Sequence, residues 1–195
     1  MPSGSAKDSQ RLFFALWPSD EFRDQLVSET QAIARDSGGR VIPPENLHVT
    51  LFFLGQVSLS RLEFVQQAGA GCANAPGFQL NFDRTEIWGR ANLLCLTTST
   101  VPADVTTLAE KLRDSLRGEA LGGSEHEFRP HITLARDLPR HGRPAPIKTL
   151  RMKVNDLVLV ESRPGSVGSH YSVMARWPLL SSAATITNPT VAESD

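Results

Sequence analysis

Apolar residues follow two rhythms along this chain. Leu12-Phe13-Phe14-Ala15-Leu16-Trp17 is an unbroken apolar run stopped by Pro18, the pattern of a short strand buried on both faces. Ser19 then reads as a helix N-cap with Asp20 and Glu21 in the first turn. Phe22, Leu26 and Ile33 recur at helical spacing until Gly38-Gly39 ends the helix. Beyond the Pro43-Pro44 turn, Leu47 to Leu54 predicts a strand ending at Gly55. Ser60 and Glu63 form a capping box opening a helix with Leu62, Val65 and Ala68 on one face. Phe78 to Trp88 and Leu93 to Thr98 read as two strands around the Gly89-Arg90-Ala91-Asn92 turn. A third helix follows Pro102 on the stripe Val105, Leu108, Leu112 and Leu116. Phe128 to Ala135, Leu150 to Val160 and His170 to Trp177 supply three further strands.

This alternation, with no Pro/Gly/Ser linker in its middle, predicts a single α+β unit of two lobes over residues 10–180. The polar start, 1–9, and the Ser/Thr/Ala-rich end, 181–195, are expected to be flexible tails. At 195 residues, 40% hydrophobic and 21% charged, the chain has the make-up of an ordinary globular protein. A net charge of -1 excludes the broad positive field of a sliding duplex binder, although 16 of the 20 basic residues are Arg, the fork that pairs bidentately with phosphate. Cys72 and Cys95 are too few for a disulfide framework or a four-ligand zinc site. No apolar leader or membrane-spanning run is present, so a cytoplasmic protein with reduced thiols is expected. No heptad run or long apolar helix calls for a dimer, and a monomer without an obligate protein partner is expected.

The chemistry sits in a repetition. His48-Val49-Thr50-Leu51 and His131-Ile132-Thr133-Leu134 share one pattern, each inside a predicted strand and each introduced by proline, Pro43-Pro44 or Pro130. In a shuffled chain of this composition two such matches arise with probability on the order of 10⁻³, so coincidence is disfavoured. Side chains alternate along a strand, so His48 and Thr50 point one way, about 7 Å apart, while Val49 and Leu51 enter the core. The same parity groups His131 with Thr133. Brought side by side, two imidazoles and two hydroxyls suit a phosphodiester. One His accepts a proton from attacking water, the other protonates the leaving sugar oxygen, and each Thr donates to a non-bridging oxygen. The residues leave open which His does which. The scheme needs no metal or cofactor, and neither a His/Cys/carboxylate cluster nor a glycine-rich phosphate loop occurs; His126, His141 and His170 sit in or beside loop-like segments.

The doubled motif resembles the two-histidine (2H) phosphoesterases, and closely their LigT-like RNA 2',3'-cyclic phosphodiesterases of bacteria and archaea. The resemblance runs from Arg11-Leu12-Phe13-Phe14-Ala15-Leu16, through Glu45 to Gly55 and Arg129 to Asp137, to Tyr171–Leu179. It implies a bilobal fold, with two pseudo-symmetric lobes of antiparallel sheet and flanking helices around a central cleft. It also implies hydrolysis of a terminal RNA 2',3'-cyclic phosphate to a 2'-phosphomonoester. By the resemblance His48 is the proton donor to the 3'-oxygen, His131 the proton acceptor from water, and Thr50 and Thr133 are phosphate ligands. Some family members also join RNA ends through a 2',5' linkage, the same proton transfers in reverse.

Three further residues are nominated. Arg136 matches a family Arg and is assigned to the phosphate or an adjacent nucleotide, although an ideal strand turns it away from His131 and only a bulge or the strand end returns it. Phe52 shares parity with His48 and Thr50 and is a candidate base platform, with core packing as the competing reading. Tyr171 matches a family aromatic and is a candidate for the cleft wall. Two other functions stand beside the leading one: a 2H phosphodiesterase for another cyclic phosphate or a 2',5'-linked substrate, and a non-catalytic module binding RNA ends or nucleotides.

Overall fold

The computed structural model describes residues 8–117, 121–122, 128–139, 144–165 and 168–180. The tails 1–7 and 181–195 and the residues His126 and His141 lie outside them. The chain runs β1 (Ser9–Leu16), α1 (Asp20–Asp36), β2 (Arg40–Val41), β3 (Val49–Ser58), α2 (Leu62–Ala70), β4 (Phe78–Phe82), β5 (Arg84–Trp88), β6 (Leu93–Thr97), α3 (Ala103–Ser115), β7 (His131–Arg136), β8 (Leu150–Val154), β9 (Asp156–Gly165) and β10 (Gly168–Pro178). Strands β10-β9-β1-β3-β7-β6-β5 form one antiparallel sheet, with β2 also pairing β7, and β4-β8 form a second, two-stranded sheet.

Local chemistry accounts for most boundaries. The Ser19 hydroxyl accepts from the Phe22 amide at 3.2 Å, opening α1, which buries Phe22, Leu26, Thr30 and Ala34 at one-turn intervals. Gly38, at φ +71°, turns the chain out of it. The α3 stripe Val105, Leu108, Leu112 and Leu116 is buried as its spacing predicts. The Ser60/Glu63 capping box does not form. Ser60 lies in a 3-10 turn with its hydroxyl on Ser58, and α2 starts at Leu62 without a side-chain cap. Its stability comes from packing Val65 and Ala68 instead.

Two predicted strands are each two. Phe78–Trp88 breaks at Asp83, whose carboxylate accepts from the Ser99 amide and hydroxyl, and Leu150–Val160 breaks at Asn155. The first halves, β4 and β8, pair with each other; the second halves, β5 and β9, join the main sheet near its opposite edges. A single non-strand residue thus hands the chain from one sheet to the other, twice.

The main sheet has two halves, β10-β9-β1-β3 and β7-β6-β5, joined where Val49 pairs with Ile132. Those residues each directly follow a motif histidine. One face of the sheet is covered by the helices and the small sheet, and Leu12, Phe14 and Leu16 point into that core. On the other face Phe13 and Ala15 pack with Val158 and Val160 beneath Trp17 and Tyr171. Burial on both sides is why β1 reads as a continuous apolar run.

Candidate active site

The junction fixes the site. With Val49 opposite Ile132 in an antiparallel pair, the same register sets His48 across from Thr133 and Thr50 across from His131. The four side chains share the open face, each histidine beside the other motif's threonine.

Both imidazoles are held alike. The His48 Nδ1–H donates to the Asn46 carbonyl at 2.7 Å and the His131 Nδ1–H donates to the Arg129 carbonyl at 2.8 Å, in each case two residues upstream. That bond fixes the tautomer with Nε2 as the working nitrogen, and the His48 Nε2 accepts from the Thr50 hydroxyl at 2.9 Å. Asn46 is itself anchored through its amide to the Ser169 carbonyl at 2.8 Å, tying the first motif to the start of β10.

The surroundings differ. His48 sits among rings, with Trp17 stacked at 5.6 Å, Phe13 at 4.9 Å and Tyr171 edge-on at 5.2 Å. Burial there lowers its pKa from 6.5 to about 4, against the opposing pull of the Asn46 carbonyl and with lesser help from His131 and Arg136. His131 packs on Trp88 at 4.3 Å. Its pKa is also lowered, first by burial and then by the positive charges of Arg129 and Arg136. Glu86 organises this second half: its carboxylate accepts from Trp88 Nε1 at 3.0 Å and from Arg129 at 2.9 Å, so one group holds both neighbours of His131. Sequence reading missed this trio, whose spacing of 43 residues carries no local signal.

In front of the motifs lies a cavity of about 450 Å³, lined by His48, Thr50, Thr133, Arg136 and Tyr171 among others. His131 adjoins Thr133 on the same strand face, against Trp88. Arg11, Arg40 and Arg136 line the cavity and, among the described residues, no carboxylate does, so a chain of net charge -1 concentrates positive charge here. Among the described residues no group of three or more His, Cys, Asp or Glu gathers to hold a metal ion.

Bulges decide the remaining candidates. In β7 the pairing passes from Cys95↔Thr133 to Leu94↔Ala135, leaving Leu134 unpaired and reversing the parity. Leu134 and Ala135 are both buried, and Arg136 comes round to the cavity, where ideal alternation turned it away. In β3 the pairing passes from Ala15↔Thr50 to Phe14↔Phe52, leaving out Leu51. Phe52 therefore enters the core at 8% exposure, and the base-platform candidate at that position is corrected: the β3 ring on the cavity is Phe53, 43% exposed. Gly55, at φ +75° beside a second irregularity, does not end β3 as the sequence predicts; the strand continues to Ser58. Tyr171 lines the cavity. His170 is exposed on β10 and is not part of the cavity lining.

Fold and site together define a two-histidine phosphoesterase: an antiparallel sheet whose two halves each present a His-x-Thr strand at the junction. The chain belongs to the 2'-5' RNA ligase superfamily, whose family model matches residues 18–165. It is 32% identical over 173 residues to the RNA 2',3'-cyclic phosphodiesterase of Escherichia coli, covering 88% of this chain and 98% of that one. The protein of the same name from Thermus thermophilus is 30% identical, covering 87% and 90%. The crystal structure of E. coli LigT complexed with 3'-AMP superposes with a TM-score of 0.81 at 31% identity, covering 88% of this chain and 99% of that one. Among the described residues no helix is long and apolar enough to cross a membrane.

Proposed function

We propose that this protein hydrolyses the terminal 2',3'-cyclic phosphate of RNA to a 2'-phosphomonoester without a metal. His131 takes a proton from water, the water oxygen bonds to phosphorus, and the bond from phosphorus to the 3'-oxygen breaks as His48 supplies that oxygen with a proton. Thr50 and Thr133 donate to the non-bridging oxygens, and Arg136 offsets their charge. The observation that supports this most directly is the Val49↔Ile132 register, which gathers both histidines and both threonines at one junction, each imidazole with Nδ1 bonded to a carbonyl.

The unequal surroundings of the two histidines are consistent with separate tasks. Burial first, and then the charges of Arg129 and Arg136, lower the pKa of His131, which favours the neutral form that a base requires. His48 is neutral in the free protein and becomes the acid when the phosphate anion enters and raises its proton affinity. The joining reaction for which the superfamily is named is the same displacement rather than its reverse: an RNA 5'-hydroxyl in place of water bonds to phosphorus, the bond to the 3'-oxygen breaks, and a 2',5' linkage remains.

The test is phosphorus NMR of the product from 2',3'-cyclic AMP and excess EDTA. Adenosine 2'-phosphate as sole product is expected; no turnover, or the 3'-phosphate, overturns the reading. His48→Ala and His131→Ala each lower kcat about 10²–10⁴-fold, the usual worth of a positioned acid or base.

A further inference from the structure

The cavity extends beyond the groups that the reaction uses. On β1 the open face carries Ala15, Phe13 and Arg11 in turn, and Ala15 is the strand partner of Thr50. At about 3.3 Å per residue, Phe13 lies about 7 Å and Arg11 about 13 Å along the sheet from the level of Thr50. Phe53, the strand partner of Phe13, is level with it, between Thr50 and Arg11, and the Arg11 guanidinium leans back over its ring at 5.0 Å from the centroid. Both line the same cavity as His48, Thr50 and Thr133.

Arg11 differs from the other two cavity arginines. Arg40 is bound to Asp137 at 3.1 Å, and Arg136 is its strand partner beside the motif. Among the described residues no ion pair is formed by Arg11, and its guanidinium rests on the Phe53 ring. An exposed aromatic face with a guanidinium on its far side, one ribose and base away from the threonines, matches the next feature of a nucleotide: a base on the ring and a 5'-phosphate at the fork.

We propose that Arg11 and Phe53 form a second anion subsite that takes the 5'-phosphate of the terminal nucleotide, so that the protein selects a nucleotide within a chain over a free nucleoside cyclic phosphate. This rests on the reading above in placing the cyclic phosphate at Thr50 and Thr133. A neutral nucleoside end leaves Arg11 unused. A chain end, whose 5'-oxygen always carries a phosphodiester, engages it.

Two measurements test this. The first compares specificity constants on 2',3'-cyclic AMP with a free 5'-hydroxyl and on the same compound carrying a 5'-phosphate. The 5'-phosphorylated substrate is expected to be favoured about tenfold, chiefly through KM, and Arg11→Gln to cut that ratio to about two or less. Equal constants for the wild-type protein, or an equal loss on both substrates in the variant, overturns the subsite. The second needs no turnover: calorimetric affinities for 3'-AMP and adenosine 3',5'-bisphosphate. About tenfold tighter binding of the bisphosphate, lost in Arg11→Gln, supports the subsite even if neither cyclic compound is hydrolysed, in which case the proposed reaction fails alone. Equal affinities in the wild-type protein overturn it whatever the activity.

Discussion

At the scale of residues, the two histidines are placed identically and surrounded differently. Each has its Nδ1 on a carbonyl two positions upstream, a repeat of local structure that follows the repeat of sequence. What the sequence could not express is the company each keeps, three rings around His48 and a Trp with two arginines around His131. Glu86 is the residue whose loss reads that difference out. It touches no reacting atom; it positions Trp88 and Arg129, and the Arg129 carbonyl orients His131. Glu86→Ala is expected to lower kcat/KM about tenfold or more, as small misplacements of a catalytic group do. Glu86→Gln keeps an acceptor for Trp88 but frees the Arg129 charge, so it loses less activity while moving the acid limb of the pH profile to lower pH. Identical profiles in wild type and both variants would show that the carboxylate plays no part in holding the base.

At the scale of elements, hydrophobic period located helices and strands, and irregularities then decided which side chains serve the site. The His/Thr pairs were legible because Val49 to Thr50 and His131 to Thr133 run as regular strand. Phe53 was not, and Arg136 was reached only through the family resemblance, because the bulges at Leu51 and Leu134 are set by register against neighbouring strands, information held by residues far away in the chain. The breaks at Asp83 and Asn155 were hidden likewise, each being one polar residue between two apolar alternations. Tertiary packing also reverses an intrinsic preference in α2. Replacing a helical Gly by Ala ordinarily stabilises by about 1 kcal/mol. At Gly69, however, an added Cβ would meet the Trp177 ring of β10 at 2.5 Å. Trp177 is itself packed against Phe14, 5.9 Å between centroids. Overpacking of about 1–3 kcal/mol should win, so Gly69→Ala is expected to lower the urea midpoint; an unchanged or higher midpoint would mean that Trp177 yields freely.

At the scale of the whole molecule, the buried imidazoles couple stability to pH. His48 titrates at about 4 when folded and near 6.5 when the chain is unfolded. Between those values the unfolded chain holds a proton that the folded one refuses, so stability falls as pH drops through the window and the loss is complete below about 4. For His48 the loss amounts to up to about 3 kcal/mol, and His131 acts in the same direction. Urea melts at pH 7, 5.5 and 4 are expected to show a falling midpoint, with a flatter course in His48→Gln. Saturating 3'-AMP should restore part of the loss at pH 5.5 by favouring the protonated imidazole. A wild-type midpoint independent of pH would contradict the burial of both rings as titrating groups.

The Val49↔Ile132 pair has a meaning for the geometry of the reaction. An in-line displacement at phosphorus passes through a trigonal bipyramid whose entering and leaving oxygens exchange under a half-turn. The two motif strands run antiparallel through that pair, so a half-turn about it exchanges His48 with His131 and Thr50 with Thr133. A protein frame of this kind matches the symmetry of the bipyramid and favours neither apical position. Direction is then a matter of chemical potential, of water against hydroxyl, and of the unequal surroundings that rings and arginines impose on an otherwise even-handed frame.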